Sequence, residues 1–354
     1  MKILTITDAW QPQVNGVVRT IEATNRECTN LGHETAVITP RHFSTLPCPR
    51  YPEIRLSVVP YRRVAQLMTL HLSTRQETAI HIATEGPLGL AARRYCVRHG
   101  LPFTTAYHTR FPQYVNAMFG VPERWVYGFL RRFHGAARRV LSPTPEVDRE
   151  LARIGLGNVA RWTRGVDLDV FGPRVEESPH AAGTARPRFL YVGRVSVEKS
   201  VDAFLALDLP GTRIVAGAGP ALVTLKRRFP DVRFAGVLPR DELATLYSSV
   251  DAFVFPSRTD TFGLVLLEAL ACGTPVAALP VQGPLDVVGD SDAACLDENL
   301  GRAALHALRI PRERCRRHAE RFSWRAATEQ FLAAQVPCRQ ADIAEPEREA
   351  AAVQ

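Results

Sequence analysis

The chain has 354 residues, 46% of them hydrophobic and 23% charged, a globular composition that excludes disorder, collagen-like repeats or coiled coil as the main architecture. The net charge of +8 sits wholly in residues 1–172, which carry 22 basic and 13 acidic side chains, while the remainder carries 22 and 23. A basic half points to phosphate, nucleic acid or an anionic membrane surface, the alternative being a solvated basic face. Arginine dominates: Lys2, Lys199 and Lys226 are the three lysines among 44 basic residues.

The length suggests two domains. Ile3–Thr7 is too short for the core of a signal peptide, and no run approaches the roughly 18 apolar residues of a membrane span. The seven cysteines are scattered and form no C-x-x-C pair, which argues against zinc or redox motifs and for reduced thiols in a cytoplasmic chain.

In chain order, Lys2–Thr7 reads as a buried parallel strand. A loop with Pro12, Asn15 and Gly16 leads into a helix from Val17 to about Leu31, ended by Gly32. Strands follow at Thr35–Thr39, Ala79–Ala83, Phe103–Tyr107 and Arg139–Ser142. Between the last two, Glu123–Arg139 interleaves aromatics and arginines at helical spacing. This helix, within 121–140, either lies on an anionic bilayer or packs Trp125, Phe129 and Phe133 inward.

Residues 172–187 are polar and rich in small side chains, a linker composition. The pattern then restarts, with strands at Phe189–Gly193, Arg213–Ala216, Val232–Phe234, Ala252–Phe255 and Pro275–Ala278. Alternating strands and helices define a doubly wound α/β unit in each half. The expected organisation is a first domain over 1–171, a linker over 172–187 and a second domain over 188–315. A terminal helix over 316–336 then crosses back to the first domain, and a disordered tail covers 337–354. Open α/β sheets bind ligands at their strand C-termini, so two such sheets suggest a site in a cleft between them.

Five loops carry chemistry. In Phe255–Val276, Asp260 precedes a helix beginning near Gly263, and Glu268 lies eight residues on. A helix N-terminus can hold a diphosphate while carboxylates accept hydrogen bonds from sugar hydroxyls; the plainer reading is an N-cap Asp and a surface Glu. In Tyr191–Ser200, Arg194 and Lys199 can converge on one anion, or Lys199 can pair with Glu198. Gly217 and Gly219 follow a strand, either as a ligand approach or as a plain turn. Gly16 lies between the first strand and first helix, where such folds bind phosphate, but the dinucleotide fingerprint is absent. His108 and Arg110 sit just past a strand end, and His108 can donate to a substrate oxygen or be structural.

Together, in this order and over about residues 1–336, these motifs resemble retaining glycosyltransferases of family 4. That resemblance implies the GT-B fold, an α/β architecture of two Rossmann-like doubly wound domains facing a central cleft. It implies that Arg194 and Lys199 hold the donor diphosphate. Asp260 and Glu268 would contact the donor sugar and the ribose, and the Phe262, Gly263, Leu264 and Val265 backbone the sugar or phosphate. Gly16, Gly217 and Gly219 would approach the donor, and His108 would contact the sugar near the reaction centre. On this reading His108, Asp260, Arg194 and Lys199 are the catalytic set. Gly165-Val-Asp167 with Phe171, and Ser323-Trp324, match the family's segments flanking the second domain. Asp260 stands where the family usually has Glu, Asn15-Gly16 where many members have Gly-Gly, and Ala218 where Asp is frequent.

The implied reaction moves a hexose (mannose, glucose or glucuronic acid) from a UDP- or GDP-linked nucleotide-diphosphate sugar, with retention. Domain closure would assemble the site, and no metal or other cofactor is required. The expected acceptor is a membrane lipid reached by a peripheral enzyme on the cytoplasmic membrane face. A soluble saccharide or small-molecule acceptor, or a nucleotide-sugar epimerase, are the alternatives. Nucleic acid is not an expected partner.

Overall fold

The computed structural model describes residues 1–13, 15–48, 51–73, 76–108, 112, 115–116, 120–258, 260, 262–289 and 291–338, with the backbone alone at 48 and 51–56. Arg110 and the segment from 340 lie outside the described residues. The chain divides into two compact units. Among the described residues, one comprises Met1–His108, Val121–Thr163 and Thr328–Cys338; the other contains Arg164–Ala327.

The first unit holds β1 (Lys2–Ile6), α1 (Gly16–Asn30), β2 (Glu34–Ile38), a hairpin of β3 (Thr45–Cys48) and β4 (Tyr51–Ser57), α2 (Tyr61–Leu72), β5 (Thr78–Ile82), α3 (Pro87–Arg98), β6 (Thr104–Ala106), α4 (Glu123–His134), β7 (Arg139–Ser142), α5 (Pro145–Arg153) and β8 (Val159–Arg161). Its main sheet runs β2-β1-β5-β6-β7-β8, with every one of these neighbours parallel. Every residue of β1 and β5 is buried, as expected of a parallel strand covered on both faces. One face carries Leu4, Ile6, Ile38, Ile80 and Ile82 into a core with Leu88, Phe103 and Phe133.

Helix α4 buries Val126, Leu130 and Phe133, which recur at helical spacing. Trp125 does not pack inward: it is 68% exposed, and Arg124, Arg131 and Arg132 are exposed on the same helix. Helical periodicity places it one residue before Val126, about 100° off the buried stripe.

The second unit contains β9 (Arg188–Val192), α6 (Val201–Leu205), β10 (Thr212–Ala216), α7 (Leu222–Arg228), β11 (Arg233–Gly236), α8 (Arg240–Ser248), β12 (Ala252–Phe255), α9 (Leu264–Ala271), β13 (Val276–Ala278), α10 (Gln282–Val287), β14 (Ala294–Leu296), α11 (Leu300–Ala307) and α12 (Arg312–Ala319). Its parallel sheet runs β11-β10-β9-β12-β13-β14. Side chains alternate strictly between two cores. Leu190, Ile214, Phe253, Phe255 and Val276 face one, and Phe189, Tyr191, Val215, Val254 and Ala277 the other. Residues 172–187 pack within this unit: Ser178 and Ala181 are buried, and the Ser178 amide donates to Ser249 Oγ at 2.8 Å.

The stretch read as one terminal helix from 316 is two helices, α12 and α13 (Trp324–Ala334). The break has a cause. The Val166 amide donates to the Phe322 carbonyl at 3.1 Å, and Val166 and Ser323 form a parallel bridge. Gly165 is required there, because a Cβ would run into the Trp324 backbone. Beyond Ala327 the chain belongs to the first unit, where Phe331 packs on buried Trp162 at 4.9 Å between ring centroids. Gln330 Oε1 accepts from the Thr163 amide and hydroxyl at 2.9 and 3.0 Å. Gln335 accepts from Thr104, and β15 (Pro337–Cys338) pairs antiparallel with β5.

Candidate active site

In an open α/β sheet, ligands bind beyond the strand C-termini where the strand order reverses. In the second unit that point lies between β9 and β12. The loop after β9 carries Arg194 and Lys199; the loop after β12 carries Asp260. The structure brings the last two together, Lys199 Nζ donating to Asp260 Oδ1 at 2.5 Å. Both side chains are about a quarter exposed, at 25% and 22%, so the pair is reachable by a solute. The alternative pairing of Lys199 with Glu198 is not made: Glu198 accepts from Ser196 Oγ at 2.6 Å.

The β9 loop is held by backbone. The Tyr191 hydroxyl donates to the Arg194 carbonyl at 2.7 Å. Burial pushes the Tyr191 phenol well above its ordinary pKa, and the charges of Asp260 and Glu198 add to the rise. The phenol therefore stays protonated as a donor. The Gly193 and Val195 amides continue the pairing into the β10 loop, donating to Ala216 and Ala218. Gly217 (φ +141°) has no room for a side chain because a Cβ would meet the Gly193 carbonyl; Gly219 stands likewise against Val195. These two glycines have a structural cause in the approach of two loops, independent of any ligand. Lys199 ends a short 3₁₀ turn (Val197–Lys199), and Ser200 after it takes a left-handed conformation (φ +52°). Non-glycine residues rarely adopt that conformation except where the surrounding structure imposes it.

Asp260 is not the N-cap of α9. That position belongs to Gly263 (φ +84°), with no side-chain cap, which leaves the first amides of the helix without one. Phe262 is buried and meets Phe322 edge-on, while Leu264 and Val265 are half-buried. Glu268 is not a surface residue. It is 6% exposed and accepts from the Tyr247 hydroxyl at 3.4 Å.

Gly16 and His108 belong to the first unit. Gly16 is the exposed first residue of α1, a 15-residue helix capped by Asn15, whose Oδ1 accepts from the Val17 and Val18 amides at 3.0 Å each. An N-terminus so built attracts anions. His108 follows β6 and stands edge-on to Trp162 at 5.4 Å.

Sequence reasoning missed Asp8, at the first unit's own reversal of strand order between β1 and β5. Its carboxylate accepts from the Leu88 and Gly89 amides at 2.8 and 3.1 Å and from Thr84 Oγ1 at 2.9 Å. Its amide donates to Thr84 Oγ1 at 2.7 Å. Burial raises the Asp8 pKa against these hydrogen bonds, which lower it. A carboxylate capping a helix some 80 residues away leaves no local signal. Among the described residues, no group of three or more His, Cys, Asp or Glu side chains is placed to hold a metal ion.

The parallel sheets and their strand order fit a GT-B fold, and the family models that match the chain make it a nucleotide-sugar-dependent glycosyltransferase. Residues 14–170 match the Glycosyltransferase Family 4 model, and residues 186–309 match the Glycosyl transferases group 1 model. A GDP-mannose-dependent alpha-mannosyltransferase of Mycolicibacterium smegmatis is 30% identical over 310 residues, 81% of this chain and 82% of the relative. A GDP-mannose-dependent alpha-(1-6)-phosphatidylinositol dimannoside mannosyltransferase of Mycobacterium tuberculosis is 28% identical, covering 94% and 95% of the two chains. The sulfoquinovosyl transferase SQD2 of Arabidopsis thaliana is also 28% identical, over 87% of this chain and 69% of that one. Among solved structures, sucrose-phosphate synthase from Thermosynechococcus elongatus shares the fold with a TM-score of 0.78 at 20% identity, over 94% and 97% of the chains. Anabaena HepE, solved with UDP-glucose, superposes with a TM-score of 0.69 at 14% identity, over 94% and 98%. The chain belongs to glycosyltransferase family 4.

Proposed function

We propose that the protein transfers a hexose, of mannose, glucose or glucuronic acid type, from a UDP- or GDP-linked donor to a membrane lipid, with retention at the anomeric carbon. The chemical problem is charge on the departing diphosphate. Arg194 and Lys199 neutralise it, together with the open amides of α9. Donor binding exchanges Lys199 from Asp260 to the phosphate, and Asp260 then accepts a hydroxyl of the sugar. Glu268 serves the ribose. Phe262, Gly263, Leu264 and Val265 line the sugar and phosphate, with Gly217 and Gly219 beside the nucleotide. Gly16 offers a helix N-terminus to phosphate, and His108 donates to a sugar oxygen. The leaving phosphate takes the acceptor proton, so no protein base and no metal are needed.

The lipid reading rests on one observation: the outward Trp125 of α4, 68% exposed, on a helix that also exposes Arg124, Arg131 and Arg132. Indole rings settle at membrane interfaces, and each arginine near an anionic surface contributes about 1 kcal/mol. The phosphatidylinositol dimannoside and SQD2 relatives support the same choice by their names. Among the described residues no helix is long and apolar enough to cross a membrane, so this surface would work from outside the bilayer.

Sedimentation with vesicles tests the membrane half: binding to anionic and not to neutral vesicles is expected, and equal negligible binding to both sinks it. Nucleotide release across UDP- and GDP-sugars tests the donor half. Interconversion of the donor sugar with no transfer product would replace transfer by epimerisation.

A further inference from the structure

Glu85 is an acidic side chain of the first unit that the mechanism above does not use. Glu85 lies in the loop after β5, beside the reversal point between β1 and β5 where a parallel sheet receives its ligand. Its seat is rigid. Asp8 binds Thr84 on one side of it and the Leu88 and Gly89 amides on the other. Gly86 and Gly89 lack the space for side chains, their Cβ positions being taken by the Asp8 carboxylate and the Thr84 carbonyl. The Glu85 side chain is 12% exposed. Its Oε1 is buried without a well-formed hydrogen bond and faces Nε2 of the fully buried His134 at 3.3 Å. That ring is in turn fixed through Nδ1 to Thr105 Oγ1 at 2.9 Å. A backed, immobile carboxylate at a ligand edge costs desolvation and accepts hydrogen bonds only. It suits hydroxyls and repels phosphate, and it stands within residues 1–172, which carry the chain's whole basic excess.

We propose that Glu85 is an acceptor-binding residue, which orients a hydroxyl of a polyhydroxy acceptor (a ring or glycerol-type headgroup) by accepting its hydrogen bond. It transfers no proton. His134 positions the carboxylate, and Asp8 holds the loop. The inference rests on the transferase reading above and extends it from donor to acceptor.

The test uses the full chain with GDP-mannose or UDP-glucose, offered glycerol, myo-inositol or phosphatidylinositol vesicles. Product is scored as glycoside against free hexose. For Glu85→Ala we expect the acceptor KM to rise at least tenfold and the glycoside-to-hexose ratio to fall by a similar factor. Donor KM and acceptor-free nucleotide release should stay within twofold. Glu85→Gln, which keeps a carbonyl acceptor, should fall between, and it carries the comparison if the alanine variant does not fold. Unchanged acceptor KM in both variants overturns the proposal, as does a parallel rise in donor KM. A wild-type protein that releases nucleotide but glycosylates none of these acceptors overturns it while leaving the donor reading intact. A wild-type protein that releases no nucleotide from any donor instead removes the donor reading on which it rests.

Discussion

The two sheets solve the same problem differently at their reversal points. In the first, Asp8 ties the loops after β1 and β5 together through backbone amides and the Thr84 hydroxyl. In the second, Asp260 ties the loops after β9 and β12 through the ammonium of Lys199. Asp8 is half-buried and satisfied by groups that cannot leave. Asp260 and Lys199 are each about a quarter exposed, joined by flexible side chains that a ligand can part. The contrast is between a fixed joint and an exchangeable one. A partly exposed ion pair contributes about 1 kcal/mol or less, so exchanging it for a diphosphate costs little.

That comparison can be broken at several points. The largest effect is expected for Lys199→Ala. Turnover should fall by about 100-fold or more, as for loss of one charge-stabilising donor, with weaker donor binding and a nearly unchanged melting temperature. Near wild-type turnover would show that the ammonium serves only Asp260. Next is Gly217→Ala, where a methyl group must displace the Gly193 carbonyl. It should cost about 2–3 kcal/mol in denaturant unfolding, and a neutral result would show the loop contact to be loose. Asp8→Ala removes a helix cap and should cost about 1–2 kcal/mol of stability. It should leave donor KM unchanged, and a donor effect larger than the stability effect would merge the two joints into one. The smallest effect on folding is expected for Trp125→Ala, within about 0.5 kcal/mol. Its readout is vesicle sedimentation, where anionic binding should weaken several-fold.

The regular parts of both sheets were legible because parallel strands read as short apolar runs; Arg139–Ser142 and Ala252–Phe255 fall where the pattern places them. The hairpin of β3 and β4 was not, since Pro47 and Pro52 interrupt its alternation and it lies off the main sheet. The three-residue strands β8 and β14 are too short to carry a period. At the site, Lys199 and Asp260 could be picked out by residue type, but their pairing could not, because 61 residues separate them. Trp125 could not be placed from the sequence, since an indole is equally suited to a core and to an interface, and it stands outside.

The first unit is discontinuous in sequence. Its sheet takes β15, its Trp162 takes Phe331, and its Thr104 takes Gln335, all from residues made after the second unit. During synthesis the second unit can complete its sheet and both of its cores as soon as its own stretch has emerged. The first unit begins earlier and finishes later. Until residues 328–338 arrive, His81 and Trp162 lack the ring of Phe331 that covers them. A chain cut after residue 327 would therefore hold a finished second unit joined to an incomplete first one, a species exposed to proteases and chaperones.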